Sequence, residues 1–262
     1  MPVNSGKSCY IVSFAALAHP SLRAGIIGTS VHYLQLSLLT CVFVANGAGG
    51  LFARRVADRM HLALGFSAGT VLATAFFILM PQAVLRGGSV YGAGELLTFV
   101  GLGFVIALLL DRFGFLWVAE SGSYRTICEH HTHGVLNGAA IGIAHHVSPA
   151  ISAIVAAALL THEFSDSAAV VSELGGNPPG HALRTWSIST LCFAAGLVAT
   201  SFYSVTAAVL GAALAIFGGY FIYLSASDLI PESHHSHPQL LTAGMTFGGA
   251  GALYLASYVL VR

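Results

Sequence analysis

PAISAIVAAALLTHEFSDSAAVVSEL, residues 149–174, decides the fold. The run is apolar for long enough to cross about 30 Å of hydrocarbon, and Pro149 after Ser148 supplies a first turn and a cap. Yet its middle holds His162, Glu163 and Asp166. Ionisable groups inside a spanning segment are costly, face a protein interior or a cavity, and mark function rather than packing.

Working outward, similar apolar runs fill almost the whole chain. Of its 262 residues, 56% are apolar and 8% charged, against about 25% charged in an ordinary soluble domain. The spans read as 31–53, 62–82, 94–118, 126–147, 149–174, 185–205, 207–230 and 239–261. The expected fold is an all-α, multi-pass integral membrane protein of about eight transmembrane helices with no sizeable soluble domain. Residues 1–29 read as an N-terminal arm or a signal segment, since Lys7, the apolar run from Ser8 to Leu17 and the small residues Ala16 and Ala18 suit either. Residues 30–262 are then the transmembrane domain. Pro81 and Pro231 are expected to close the second and seventh spans.

The partners follow from charge. Net charge is zero with ten Lys plus Arg, so no basic surface for nucleic acid exists. The lipid bilayer is one partner, and a homodimer is left open, as is the choice of membrane. Arg54, Arg55, Arg59, Arg112, Arg125 and Arg184 place the odd-numbered connections in the cytoplasm, against Arg86 alone in the even-numbered ones. The four cysteines form no C-x-x-C pair. Thirteen histidines outnumber Lys plus Arg, and imidazole is a common metal ligand.

A weak repeat points to a transporter. Gly69 and Gly219 each stand 12 residues before a proline, Pro81 in Leu79-Met80-Pro81-Gln82 and Pro231 in Leu229-Ile230-Pro231-Glu232. The second span runs outward and the seventh inward, so the repeat is expected to be inverted in the membrane.

The chemistry concentrates in spans four and five. His133 and Asn137 are four residues apart, as are His162 and Asp166, so each pair lines one helix face near a span midpoint. Two imidazoles, an amide oxygen and one or two carboxylates, counting Glu163, make a nitrogen and oxygen site suited to zinc and acceptable to iron, manganese or cadmium. The divalent ion is then a transported substrate, with no resident cofactor. Glu173, two turns past Asp166, is a candidate step on the path. So are His130 and His131 in the tract before His133, and Asp228, His234, His235 and His237 around Pro231, as stations receiving ions at the cytoplasmic end. Two competing readings use the same residues. An intramembrane zinc hydrolase would take His133, His162 and Asp166 as ligands and Glu163 as base, although Asp166 stands where an H-E-x-x-H motif has its second histidine. A metal-binding sensor would bind without flux.

These residues resemble the ZIP (Zrt/Irt-like) family of metal transporters. His133-Gly134-Val135-Leu136-Asn137-Gly138 is similar to that family's fourth helix, His-Asn-x-x-Asp/Glu-Gly. His162-Glu163-Phe164-Ser165-Asp166 is similar to the fifth, His-Glu-x-Pro-Glu/His. Gly65–Gly69 with Leu79–Gln82, and Asp228–His234, resemble the second and seventh. The resemblance covers residues 30–262 and implies an eight-helix bundle in a 3+2+3 inverted repeat that moves zinc or a related ion toward the cytosol. It implies His133, Asn137, His162 and Asp166 as principal ligands, bordered by Glu163. Asn137 stands in place of the usual carboxylate and Gly134 in place of the usual asparagine. Phe193 falls where many members carry the sixth-helix glutamate of a second metal site. Leu136 and Ser165 replace helix prolines. The centre implied here is single.

Overall fold

The computed structural model describes residues 20–55, 59–117, 122–173, 179–201, 204–234 and 239–261. The N-terminal arm before residue 20 therefore lies outside the described residues, as do His235 and His237. Contacts divide the chain into Met1–Leu38, helical from Pro20, and Leu39–Arg262. The second unit holds every residue discussed below.

All described elements are helical. They are α1 (Pro20–Arg55), α2 (Met60–Gly87), α3 (Ala93–Trp117), α4 (Gly122–His145), α5 (Pro149–Glu173), α6 (Pro179–Ser201), α7 (contiguous segments Ala207–Tyr223, Leu224–Leu229 and Ile230–His234) and α8 (Gln239–Val261). Among the described residues, six stretches are long and apolar enough to cross a membrane: Gln35–Arg55, Met60–Gly87, Ala93–Arg112, Pro149–Ser172, Ala207–Ser233 and Leu240–Leu260. The protein is an all-α, multi-pass membrane protein. The two expected spans outside this set are α4 and α6. The polarity of α4 has a physical reason: it packs against α3, α5, α6 and α7, buries His130 and leaves His131 and His133 part-buried.

Pro81 and Pro231 do not end their helices, contrary to the sequence expectation. α2 continues to Gly87 and α7 to His234, each through a widened π segment just before its proline, Ala75–Leu79 and Leu224–Leu229. The Met80 N–H reaches back to the Ala75 carbonyl, and the Ile230 N–H to that of Ser225. A proline ring clashes with the carbonyl four residues earlier, and the wider turn moves that carbonyl aside. The Ser225 hydroxyl donates to the Ala68 carbonyl at 2.8 Å and ties the α7 π segment to α2.

The helices approach through reciprocal glycines. A Cβ on Gly69 would overlap the Thr246 carbonyl of α8, while one on Gly249 would overlap that of Phe66 in α2. Gly219 and Gly103 pair α7 with α3 in the same way, and Gly138 and Gly196 pair α4 with α6. Such contacts let backbones meet where lipid provides no hydrophobic drive. α3 and α8 expose leucines such as Leu97, Leu109, Leu241 and Leu255 on the outside. α5 and α2 are the most buried of the apolar spans, two-thirds of each lying inside, and α5 buries Ile151, Ile154, Leu159, Ala168 and Val171. At its start the Ser148 hydroxyl accepts from the Ile151 N–H at 3.1 Å, the cap expected from the sequence.

Candidate metal centre

α4 and α5 are joined by the tight turn at residues 146–148, where the Val147 and Ser148 N–H groups both bond the Ala144 carbonyl. So short a link makes the helices antiparallel neighbours, and the early half of α4 faces the late half of α5. His146 contacts the Thr200 carbonyl of α6 at 2.7 Å, and Arg86 donates to the Val147 carbonyl at 3.2 Å. Both fasten this turn to its neighbours.

Along the α4–α5 seam, His133, His162 and Asp166 converge. One ligand atom from each lies within 4.8 Å of the others. The His133 and His162 rings are 6.1 Å apart between centroids. A tetrahedral zinc ion with bonds of 2.0–2.1 Å separates its ligand atoms by about 3.4 Å. Contraction by about an ångström, within reach of side-chain rotation, would close the group on an ion. His162 is fully buried and neither ring nitrogen has a hydrogen-bond partner. Buried polar atoms are nearly always satisfied, so the His162 ring leaves an N–H and a lone pair without partners, and the lone pair is what an ion would take.

Asn137 and Glu163 are placed differently from the ligand set read from the sequence. Each is buried, and the Asn137 Nδ2 donates to Glu163 Oε1 at 2.9 Å. The Asn46 Nδ2 of α1 donates to the other carboxyl oxygen at 3.3 Å. Glu163 is thus clamped between amides from two helices, while the Oδ1 atoms of Asn46 and Asn137 have no partner. The Ser167 hydroxyl donates to the Asn46 main-chain carbonyl at 2.8 Å, fixing α1 to the same turn of α5. Among the described residues, Glu163 and Asp166 have amide and imidazole partners and no Lys or Arg. A buried carboxyl group, Glu163, and a part-buried one, Asp166, with no Lys or Arg beside them favour a cation between them.

Of the path residues, His130 contacts Asp166, and His131 lies beside it. Asp228 is exposed on the α7 π segment and interacts electrostatically with His133 and Asp166. Glu173 ends α5 and His234 ends α7, with no side-chain placement described.

Two residues escaped the sequence reading. Asn46 is one; an amide inside the apolar run of the first span was the available signal, but it has no ionisable residue at four-residue spacing to mark it, as Asn137 has in His133. Tyr220 is the other. Its ring lies 6.4 Å from that of His133 and its buried hydroxyl has no partner, which places a phenol from α7 against the group. Nothing in the sequence separates Tyr220 from the aromatic residues around it.

No protein-family model matches the chain, and no curated protein matches it.

Proposed function

We propose that this protein carries a divalent cation, zinc or an ion of similar chemistry, across the membrane toward the cytosol through a centre held by His133, His162 and Asp166. The observation that carries the reading is the convergence of those three side chains from two helices at the heart of the bundle, with the imidazole nitrogens of His162 unpartnered. Two imidazoles and a carboxylate with room for water suit an ion that must leave as well as bind.

The surrounding helices support movement. On this reading α4 and α6 also cross the bilayer, giving eight spans, and α1–α3 and α6–α8 form an inverted repeat around α4 and α5. The paired π segments ahead of Pro81 and Pro231, and the reciprocal glycine contacts of α2 with α8 and of α7 with α3, favour it. Repeats of this kind let one set of helices rock against another around a fixed site. The resemblance to ZIP transporters supports the reading at His133, His162 and Asp166; it also implies Asn137, whose Nδ2 donates to Glu163. A hydrolase would need Glu163 free to take a proton from water, and both of its oxygens are occupied by amides, which weighs against that reading.

The test is uptake of radioactive zinc into proteoliposomes. His162→Ala and Asp166→Ala should abolish most uptake while the proteins remain monodisperse on size exclusion. Unchanged uptake in both variants sinks the proposal. Zinc binding that is lost in the variants but accompanied by no flux in the unaltered protein would make this a sensor.

A further inference from the structure

His130 stands three residues before His133 on α4, one turn further along the seam. It is 1% exposed, and its Nδ1 lies 2.6 Å from Asp166 Oδ2. A carboxylate so close holds the ring proton on Nδ1 and leaves a lone pair on Nε2. That Nε2 is buried and has no partner. The neighbouring His131 repeats the pattern, with its ring meeting the Thr185 backbone of α6 while its own buried Nε2 is unpartnered. The two rings are 5.9 Å apart between centroids and tilted by 42°. Two imidazoles bound through Nε2 to one tetrahedral ion place their centroids about 5 Å apart, close to the spacing observed. A histidine present only to orient Asp166 would have no reason to keep its far nitrogen unsatisfied in the interior, nor would its neighbour.

We propose that His130 and His131 form a second, weaker divalent-cation station, one turn along α4 from the His133–His162–Asp166 centre and linked to it by Asp166. Asp166 has two oxygens. One orients His130, in the carboxylate–histidine–metal arrangement that raises ligand basicity, and the other serves the first centre. Two imidazoles completed by water select zinc, cobalt or a similar borderline ion over magnesium or calcium. With only two protein ligands the station exchanges its ion quickly, as a release step requires. The station itself is a binding site whether or not flux occurs; its place in a release sequence rests on the transport reading.

The experiment is cobalt(II) titration of the purified full chain in detergent, following the visible absorption of the bound ion, alongside zinc uptake in proteoliposomes. His131→Ala should bind one equivalent fewer than the unaltered protein, keep the tighter component unchanged, and lower the maximal uptake rate several-fold at constant KM. His130→Ala should lose the same equivalent and also weaken the tighter one, because Asp166 loses its imidazole partner. His162→Ala should keep the weaker equivalent and lose the tighter. If His131→Ala retains every equivalent, His130 does no more than orient Asp166 and the station does not exist. A normal uptake rate with that result leaves the transport reading standing, whereas the full set of binding losses without any uptake in the unaltered protein overturns transport and keeps the station.

Discussion

His162 and Glu163 are neighbours in sequence, share α5 and are equally buried, yet they belong to two different kinds of polar group. The group of His133, His162 and Asp166 is open: its atoms gather within 4.8 Å and the His162 ring makes no hydrogen bond. The group of Asn46, Glu163 and Asn137 is closed, since each carboxyl oxygen accepts an amide N–H. Successive residues of a helix point about 100° apart, so one step along α5 separates a surface that waits for a ligand from one that joins three helices. Similar burial of similar residues therefore says little about role. What decides it is whether the ionisable side chain is left without a partner: the His162 ring has none, whereas both Glu163 oxygens do, and in the closed group only the amide Oδ1 atoms are unpartnered.

The sharpest way to break the comparison is to remove one member of each group and measure binding. His162→Ala should weaken zinc affinity by about a hundredfold, the upper end of what loss of a supporting residue does and a minimum for a direct ligand. Titration calorimetry on detergent-solubilised protein reads this directly. Glu163→Gln should weaken it only a few-fold, through loss of a nearby charge. Gln keeps the size of the side chain, and either asparagine can turn its unpartnered Oδ1 toward the new amide. Equal losses in the two variants would mean that both groups hold the ion.

The second largest effect falls on stability. Glu163→Ala leaves two buried amide N–H groups unpaired, each costing about 1–3 kcal/mol, with part returned because a buried carboxyl is gone. A net loss of about 3 kcal/mol lowers the melting temperature by about 6–12 °C for a chain of this size class. His162→Ala breaks no side-chain hydrogen bond and costs only the cavity left by the buried ring, so it should move it less. A melting curve that ranks the two variants in the opposite order would show that the closed group is not what joins the helices.

Much of this was legible in the sequence where local rules are strong. The span read as 149–174 is α5, Pro149–Glu173, and that read as 239–261 is α8, Gln239–Val261, because a serine–proline cap and long apolar runs fix them. His133, His162 and Asp166 were legible from four-residue spacing and depth. The continuation past Pro81 and Pro231 was not, since proline alone reads as a stop; the π turn that spares the helix is tied by Ser225 to a carbonyl in α2, a contact between distant residues. His130 was expected at the solvated cytoplasmic end of its helix, but α4 begins at Gly122 and carries it into the bundle. The hydrogen bond of Asn137 to Glu163 was beyond reach too, because Asn46, the third member, comes from a helix more than 110 residues away in sequence.

A third change sharpens the boundary between the groups. Asn137→Glu sets a second carboxyl beside Glu163, where like charges repel until a cation joins them. Zinc and cadmium should then bind about tenfold more tightly, an ion-binding free energy of about 1.4 kcal/mol, with a larger gain for the divalent ion that tolerates oxygen ligands better. Competition uptake among zinc, iron, manganese and cadmium reports the shift in preference. No change in affinity would assign Asn137 wholly to the closed group.

The smallest expected effect distinguishes the two amides within that closed group. Asn137 donates at 2.9 Å and Asn46 at 3.3 Å, and a hydrogen bond to a charged acceptor contributes about 1.5–3 kcal/mol when well made and less when stretched. Asn137→Ala should therefore cost about 2 kcal/mol and Asn46→Ala about 1 kcal/mol. The second change spares the main-chain bond from Ser167 to residue 46, which needs no side chain there. In thermal melts the Asn46 variant should lie between the unaltered protein and the Asn137 variant, and the double variant should fall short of the sum, because the two amides share one carboxyl group. Full additivity would mean that the amides do not act through Glu163, and the distinction between an open and a closed side of α5 would have to be redrawn around the asparagines alone.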